Sequence, residues 1–406
     1  MAAAPLVPGR VKVTVVGGGN AAQALAALLP HKGFPTSMYC PFADEAERLQ
    51  AGVREQGFML ARFAAHNEPS GEVTGAPARI SRSAAEVIPD ADVILMPLPS
   101  FAYRPVLEGM REHLRPGQKL AATPGQGGFD WIAEEILGPE LFRTLTVYAV
   151  MPMPFNCRIQ TFGKEVHVQE LKRRYRVGCT PASALEEVLA INSAMFGHSE
   201  SCGSFLACSL YPINAVIHPA RLFSLLRGWT ETGEPLAENP LFYEDMTAEC
   251  TALMDRVNQE LIETATRLVG AGVDVAVPHI FDFLAGFVYQ DPAPTLQQFF
   301  NGNAAYKGFR CPLVAAAGGG GGWAPDFGNR YFTEDIPLGL CVYRGVAELA
   351  GVETPAMDEI IAWAQAHMGK EYLKDSRLAG AHVGETSAPQ RFGIATLDDL
   401  RRRYSA

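Results

Sequence analysis

Residues 11–22 read Val11-Lys-Val-Thr-Val-Val-Gly-Gly-Gly-Asn-Ala-Ala22. A short β-branched run of this kind is a buried strand, and it stops at three glycines. Behind the glycines, Gln23 to Leu29 are good helix formers. Strand, glycine turn and helix in that order make the dinucleotide-binding context, with Gly17, Gly19 and Ala22 in the G-x-G-x-x-A places. Gly17 makes the tight turn, Gly19 lets backbone N–H groups approach a pyrophosphate, and Ala22 keeps helix and strand close. The positive end of the helix dipole favours the phosphates. An ordinary strand-to-helix turn is the bland alternative. Position at the first strand of the chain favours the nucleotide reading.

Further strands are predicted outward from this stretch. Thr36 to Tyr39 is the second, and Cys40-Pro41-Phe42-Ala43-Asp44-Glu45 follows it. A dinucleotide fold places an acid for the adenosine ribose at that strand end. Asp44 arrives late for that role and equally opens a helix over Asp44 to Gln50. No Arg or Lys stands at the strand end for a 2′-phosphate, which favours NADH over NADPH; only Arg48 could reach back. Ala91 to Met96 is a buried strand that ends in the rigid loop Pro97 to Ala102, and carboxyl ends of such strands bind ligands. The cofactor set is therefore Gly17, Gly18, Gly19, Asn20 and Ala21, with Phe42 and Pro99 after the next strands. Lys119 to Ala122 precedes a second glycine turn, Thr123 to Gly128, where Gln126 presents its amide either to a substrate carboxylate or to water. Thr144 to Val150 is a strand leading into Met151-Pro-Met-Pro-Phe-Asn-Cys157. Glu165 to Gln169 and Tyr175 to Thr180, around a basic turn, alternate as a hairpin does. Ser183 to Phe196 is an amphipathic helix.

The second half changes character. Asp245 to Val269 carries Met246, Leu253, Val257, Leu261, Ala265 and Leu268 at helical spacing. Pro278 to Tyr289 and Leu296 to Phe300 are helical as well. Helices resume at Asp335 to Leu349, capped by Thr333, and at Pro355 to His367, with Thr354 as N-cap. Between them, five glycines at Gly318 to Gly322 are costly to order, so the stretch is expected to be either mobile or ordered by a ligand. The fold class is thus α/β: a Rossmann-type nucleotide-binding domain over 1–203, then an all-helical domain over 204–406.

Composition bounds the function. The chain has 406 residues, 48% hydrophobic and 19% charged, enough for two domains with ample core. A net charge of −10 argues against nucleic acid or an anionic membrane as partner. No apolar run of about 18 residues is present to span a bilayer, and Met1 to Arg10 lacks the basic and apolar regions of a secretory signal. Eight cysteines without a C-x-x-C or a His–Cys cluster read as reduced thiols of a cytoplasmic protein, with no metal site.

Two stretches of the second half are dense in chemistry. In Asn214-Ala-Val-Ile-His218-Pro219 the proline biases His218 away from the helical region, which suits a helix starting there. A histidine at such a start can serve as general acid or base, although a capping or buried histidine has the same signature. In Ala324-Pro-Asp-Phe-Gly-Asn-Arg330-Tyr-Phe-Thr-Glu-Asp335-Ile-Pro337, Arg330 offers a planar fork for a carboxylate. Asp335 can hold the imidazole of His218 and set its tautomer. Singly, each reads as a surface ion pair or a helix-start carboxylate. With a cofactor domain they make an acid, an orienter and an anion clamp.

These segments resemble the opine dehydrogenases of the octopine, tauropine and alanopine group. The likeness runs through Gly17-Gly-Gly-Asn20, Phe42-Ala-Asp-Glu-Ala-Glu-Arg48, His218-Pro-Ala, Asn239-Pro-Leu-Phe-Tyr243, Tyr306-Lys-Gly308 and the run from Ala324 to Pro337. Gly369-Lys-Glu-Tyr-Leu373 and Pro389-Gln-Arg-Phe-Gly393 extend it over essentially the whole chain. The resemblance implies NADH-dependent reductive condensation of pyruvate with an amino acid amine. It also implies His218 and Asp335 as the catalytic dyad and Arg330, with Gln126, as the clamp on the oxo acid. Asn214 and Cys157 would adjoin the amine, Cys157 either lining its pocket or filling space. Octopine-type relatives carry a carboxylate and a threonine where this chain has Met151 and Pro152, which points to a small amine: alanine, glycine, β-alanine or taurine. The family implies a monomer or dimer. Two other classes share the plan: a 2-hydroxy-acid or polyol-phosphate dehydrogenase, which needs no amine, and an NADH-binding sensor without turnover.

Overall fold

In a computed structural model, which describes residues 8–316 and 321–404, the opening strand is β1 (Val13–Val16), buried at all four positions. Glycine 19 caps α1 (Asn20–His31), and then come β2 (Thr36–Tyr39) and α2 (Glu45–Gln56). The strands β3 (Met59–Phe63), β4 (Gly71–Gly75), β5 (Arg79–Ser81), β6 (Val93–Met96), β7 (Lys119–Ala122) and β8 (Thr146–Met151) follow. The last four are β9 (Phe155–Thr161), β10 (Glu165–Leu171), β11 (Arg174–Thr180) and β12 (His198–Ser204), with α3 (Leu185–Phe196) before β12. One sheet has the order β12-β11-β8-β7-β6-β1-β2-β5 and is parallel except where β11 meets β8. Because β1 lies between β2 and β6, the chain departs from it on both sides. That reversal opens the crevice at the carboxyl ends where such sheets take ligands.

A second sheet, β4-β3-β10-β9, is a feature the sequence reading lacked. It explains the composition of α1, whose residues from Ala22 through Leu29 are all buried. A helix apolar on every side must be covered on every side. Strands of the small sheet cover α1 opposite the large one, and its alanines let the layers approach.

Glu165–Gln169 and Tyr175–Thr180 do not form the predicted hairpin. β10 pairs with β9 and β3 in the small sheet, whereas β11 pairs with β8 and β12 in the large one. The basic turn between them is a crossing between sheets, with Lys172 buried and its ammonium donating to Asn156 Oδ1 at 2.5 Å. Burial lowers that ammonium to about 8. Alternation and a short loop describe each strand but not its neighbour. Of the residues that follow β8, those from Phe155 onward form β9.

The chain divides into two compact units, one reaching to Cys208 and the other beginning at Ser209. The second unit is helical apart from a two-stranded ribbon. Among its parts are α4 (Asn214–Leu226), α5 (Ala248–Gly270), α6 (Leu296–Gly302), β13 (Leu313–Ala315), β14 (Trp323–Pro325), α7 (Arg330–Thr333), α8 (Cys341–Ala350) and α9 (Pro355–Met368), with a π-helical segment at Asp282–Tyr289 and a last helix at Leu397–Tyr404. The long helix starts at Ala248 and not Asp245, because Thr247 Oγ1 accepts from the Cys250 N–H at 3.2 Å and caps it there. Thr333 does not cap the helix after it. It ends α7, its hydroxyl donating back to Asn329 O, and the next helix enters through the π-helical turn Ile336–Leu340. Of the glycine run, Gly318 to Gly320 lie outside the described residues. All eight cysteines are buried free thiols, and among the described residues no helix is long and apolar enough to cross a membrane.

The N-terminus of α9 is capped from another helix. Thr354 holds the N-cap position, but its hydroxyl donates to Asp358. The carboxylate of Glu260 on α5 accepts from Ala356 N at 2.7 Å and Met357 N at 3.1 Å. Burial pushes this carboxyl up to about 7 from 4.5, against the pull of those two donors. The folded chain therefore keeps a proton that the unfolded chain releases, so this group's contribution to stability falls as pH rises between about 4.5 and about 7. Melting temperatures measured across that window should decline, and Glu260→Gln should flatten the decline. An unchanged slope in the variant would assign the dependence to other groups.

Candidate active site

The glycine turn of the first unit fits a dinucleotide pyrophosphate on three grounds. Gly17 has φ +91°, which side-chain-bearing residues rarely adopt, and a Cβ there would meet Leu98 Cδ2 at 2.9 Å. Gly19 has an ordinary extended backbone, φ −73°, and a Cβ there meets no atom within 4 Å. Its glycine is thus not required by the fold; it leaves room for a group approaching the N-terminus of α1. The turn is also braced, because Gln23 Nε2 donates to Gly18 O at 2.9 Å while its Oε1 accepts from Gly163 N. Sequence reasoning passed over Gln23 as one helix former among others.

Asn20 and Ala21 begin α1, and the Asn20 side chain accepts from Ile159 N at 2.8 Å, tying the turn to β9. That bond engages its Oδ1 with protein, so a cofactor contact from Asn20 falls to its Nδ2–H donors or its backbone. Phe42 and Pro99 are half-buried after β2 and β6. The acid placed at the glycine turn is Glu45, the first residue of α2. A Cβ on Gly18 would lie 3.0 Å from its Oε2. Burial raises its carboxyl while the Gly18 N–H draws it down, and Oε2 is buried without a hydrogen-bond partner. An unpaired acceptor there suits a ribose hydroxyl and disfavours a phosphate. Asp44 and Arg48 instead pair with each other at 3.5 Å, and the Arg48 guanidinium lies over the Phe162 ring.

Gln126 is 8% exposed, and its Oε1 is buried without a partner. Leaving such an atom unmade is costly, which marks it as a place for a ligand donor or water. Cys157 sits on β9 in the apolar core with Phe155 and Val168. Burial pushes its thiol up to about 12, so it stays neutral.

In the second unit, α4 begins at Asn214, one turn earlier than the proline suggested. His218 and Pro219 are inside the helix, and only the bond that a residue-219 N–H would make is missing. Burial of Ala215 through Phe223 outweighs the local bias of the proline. Asn214, half-buried, is one turn before His218 on the same face.

His218 Nδ1 is 2.7 Å from Asp335 Oδ2, with side chains 6% and 5% exposed. An ionised carboxylate only accepts, so Nδ1 carries the proton and Nε2 has the lone pair. Nε2 faces the Tyr243 hydroxyl at 3.1 Å. Tyr331 stacks on the imidazole at 4.0 Å and Phe242 meets its edge at 5.4 Å. The pair meets because two helices come close: a Cβ on Gly339 would lie 2.6 Å from Ala215 Cβ. Ala215 is three residues before His218, and Gly339 four after Asp335, so both partners lie near the crossing. Arg330 precedes the stacked Tyr331, and its guanidinium, 57% exposed, is 3.1 Å from the buried carboxylate of Glu334. One edge of the fork is thus held by protein while most of the group faces outward. Tyr243 and Tyr331 lie within the Asn239–Tyr243 and Ala324–Pro337 motifs, but only the fold places them against the imidazole.

The second unit thus holds a buried, oriented imidazole and an exposed guanidinium, and the first a glycine turn with room at Gly19 for a phosphate. The model of the NAD/NADP octopine/nopaline dehydrogenase alpha-helical domain matches residues 201–368. A tauropine dehydrogenase of Arabella iricolor is 34% identical over 402 residues, 96% of this chain and 100% of the relative. An octopine dehydrogenase solved with NADH and L-arginine superposes with a TM-score of 0.82 at 31% identity, over 96% of this chain and 97% of that one. Octopine dehydrogenase with NADH and pyruvate gives a TM-score of 0.80 at 30% identity over the same shares.

Proposed function

Since this chain belongs to the opine dehydrogenase family of NAD-dependent oxidoreductases, we propose that it condenses pyruvate with the amine of a small amino acid and reduces the product with NADH. Pyruvate, amine, NADH and a proton give an N-(1-carboxyethyl)amino acid, water and NAD+. The observation that carries this reading is the buried His218–Asp335 pair, with Arg330 next in sequence to the Tyr331 that stacks on the imidazole. NADH fits the relatives solved with it, the room at Gly19 and the carboxylate at Gly18.

When bound, the cofactor supplies the hydride. This chain's own residues supply the rest. The outward face of the Arg330 guanidinium binds the pyruvate carboxylate through paired N–H donors. Asp335 holds His218 in the tautomer with Nε2 free to take a proton from the attacking amine and return it to the departing hydroxyl. Most of the protein's contribution is orientation and a proton at the right atom.

A small amine is favoured because Met151 and Pro152 offer a guanidinium nothing to bind. Both are buried, and the Met151 sulfur, a weak acceptor, already takes the Gly125 N–H at 3.2 Å. Asn214 is the group for the acid function of a small donor. NADH oxidation with pyruvate, measured against glycine, alanine, β-alanine, taurine and arginine, tests this. Oxidation dependent on one small amine is expected. Arginine as the best donor would overturn the amine assignment, and oxidation with pyruvate alone would make the protein a hydroxy-acid dehydrogenase. In the same assay, Arg330→Lys should raise the KM for pyruvate roughly tenfold with kcat little changed, since a point charge replaces a bidentate fork. An unchanged KM would remove Arg330 from the clamp.

A further inference from the structure

We propose that Tyr243 is the proton relay between His218 and the substrate, an inference that rests on the condensation reaction above. The imidazole has one outlet. Nδ1 is committed to Asp335, Tyr331 covers a face at 4.0 Å, and Phe242 abuts the ring. Nε2 alone leads out, and the Tyr243 oxygen stands 3.1 Å from it.

Tyr243 is itself held in place. It is 8% exposed, and its ring contacts Tyr306 at 4.4 Å, Phe242 at 4.8 Å, Phe300 at 5.7 Å and Phe309 at 6.0 Å. A substrate reaching Nε2 directly would have to displace a ring packed among four aromatics. A proton passed through the phenol moves no heavy atom. Hydroxyls suit this task because one oxygen both donates and accepts.

The transfers balance. As the neutral amine attacks the carbonyl carbon, one of its N–H protons goes to the phenol oxygen while the phenol proton goes to Nε2, leaving an imidazolium paired with Asp335, and the carbonyl oxygen takes from solvent the proton counted in the overall reaction to become the carbinolamine hydroxyl. As the carbinolamine C–O bond breaks, the leaving hydroxyl takes the phenol proton and the phenol oxygen takes the proton back from Nε2. Water departs, the imine forms, and no electrons change hands before the hydride step.

The test is Tyr243→Phe, which keeps the ring and its packing and removes only the oxygen. With the relay, kcat falls roughly 10- to 100-fold, in the range of a lost acid/base group, while the KM for pyruvate and the melting temperature hold. Rates in mixed H2O and D2O should change from a curved dependence, two protons in flight, to a linear one. A variant turning over at the wild-type rate would overturn the relay. So would a fall in kcat accompanied by lowered melting temperature with the curvature intact, which marks a structural role. A wild type that oxidises NADH with none of the amines defeats the functional reading and the relay with it; an active wild type beside an equally active Tyr243→Phe defeats the relay alone.

Discussion

His218→Ala lowers kcat for amine-dependent NADH oxidation at least about a hundredfold, the low end for a positioned acid/base group. The expected result follows from burial. With a ring that is 6% exposed and closed in by aromatics, little water can stand in for the lost imidazole. Asp335→Asn is the sharper variant because it is nearly isosteric. The new amide can donate where the carboxylate could only accept, which lets Nδ1 lose its proton and leaves Nε2–H facing Tyr243. A basic Nε2 is then missing, and kcat should fall by a comparable or larger factor with NADH affinity unchanged. Fluorescence titration of NADH beside steady-state kinetics separates the two effects. Near-normal turnover in either variant would remove the dyad from the mechanism.

The second large effect is expected at Gly19. Valine there meets no protein atom around its Cβ and has an allowed backbone, so the fold should be indifferent to it. Its methyl groups occupy the ground where a pyrophosphate would meet the helix N-terminus. Intruding methyl groups in a packed site cost about 1–3 kcal/mol, which predicts NADH affinity weakened roughly 10- to 100-fold with the melting temperature held. Loss of affinity together with stability would mean that Gly19 serves the fold. Unchanged affinity would move the nucleotide elsewhere. Gly17→Val could not make this distinction, because a positive φ and Leu98 oppose any side chain.

The parts of the fold legible in the sequence are those encoded by neighbouring residues. A β-branched run ending at Gly17 makes strand and turn, and the carboxyl ends of β2, β6 and β7 follow from the prolines just beyond them, Pro41, Pro97 and Pro124. The helical second half follows from 3.6-residue periodicity along α5. Local rules failed where distant burial outvoted them. Pro219 sits inside α4 because burying that helix outweighs one missing hydrogen bond. Thr333 and Thr354 have the residue type of caps, yet the donors at the start of α9 go to Glu260, 96 and 97 residues away.

The candidate site divides along the same line. Residue chemistry, a guanidinium fork, an imidazole and a glycine turn, could be read directly, and likeness to known enzymes joined His218 to Asp335. Their 2.7 Å approach across 117 residues exists because Gly339 admits Ala215 at a helix crossing. Lys172 and Arg173 join two strands that belong to different sheets, and nothing within either strand says so. Glu45, Gln23 and Tyr243 acquire roles only through what lies opposite them. Backbone propensity, turn chemistry and the inventory of reactive groups are written in a few consecutive residues. Partnership is decided by packing, because burying apolar surface is non-directional and selects whichever distant faces fit.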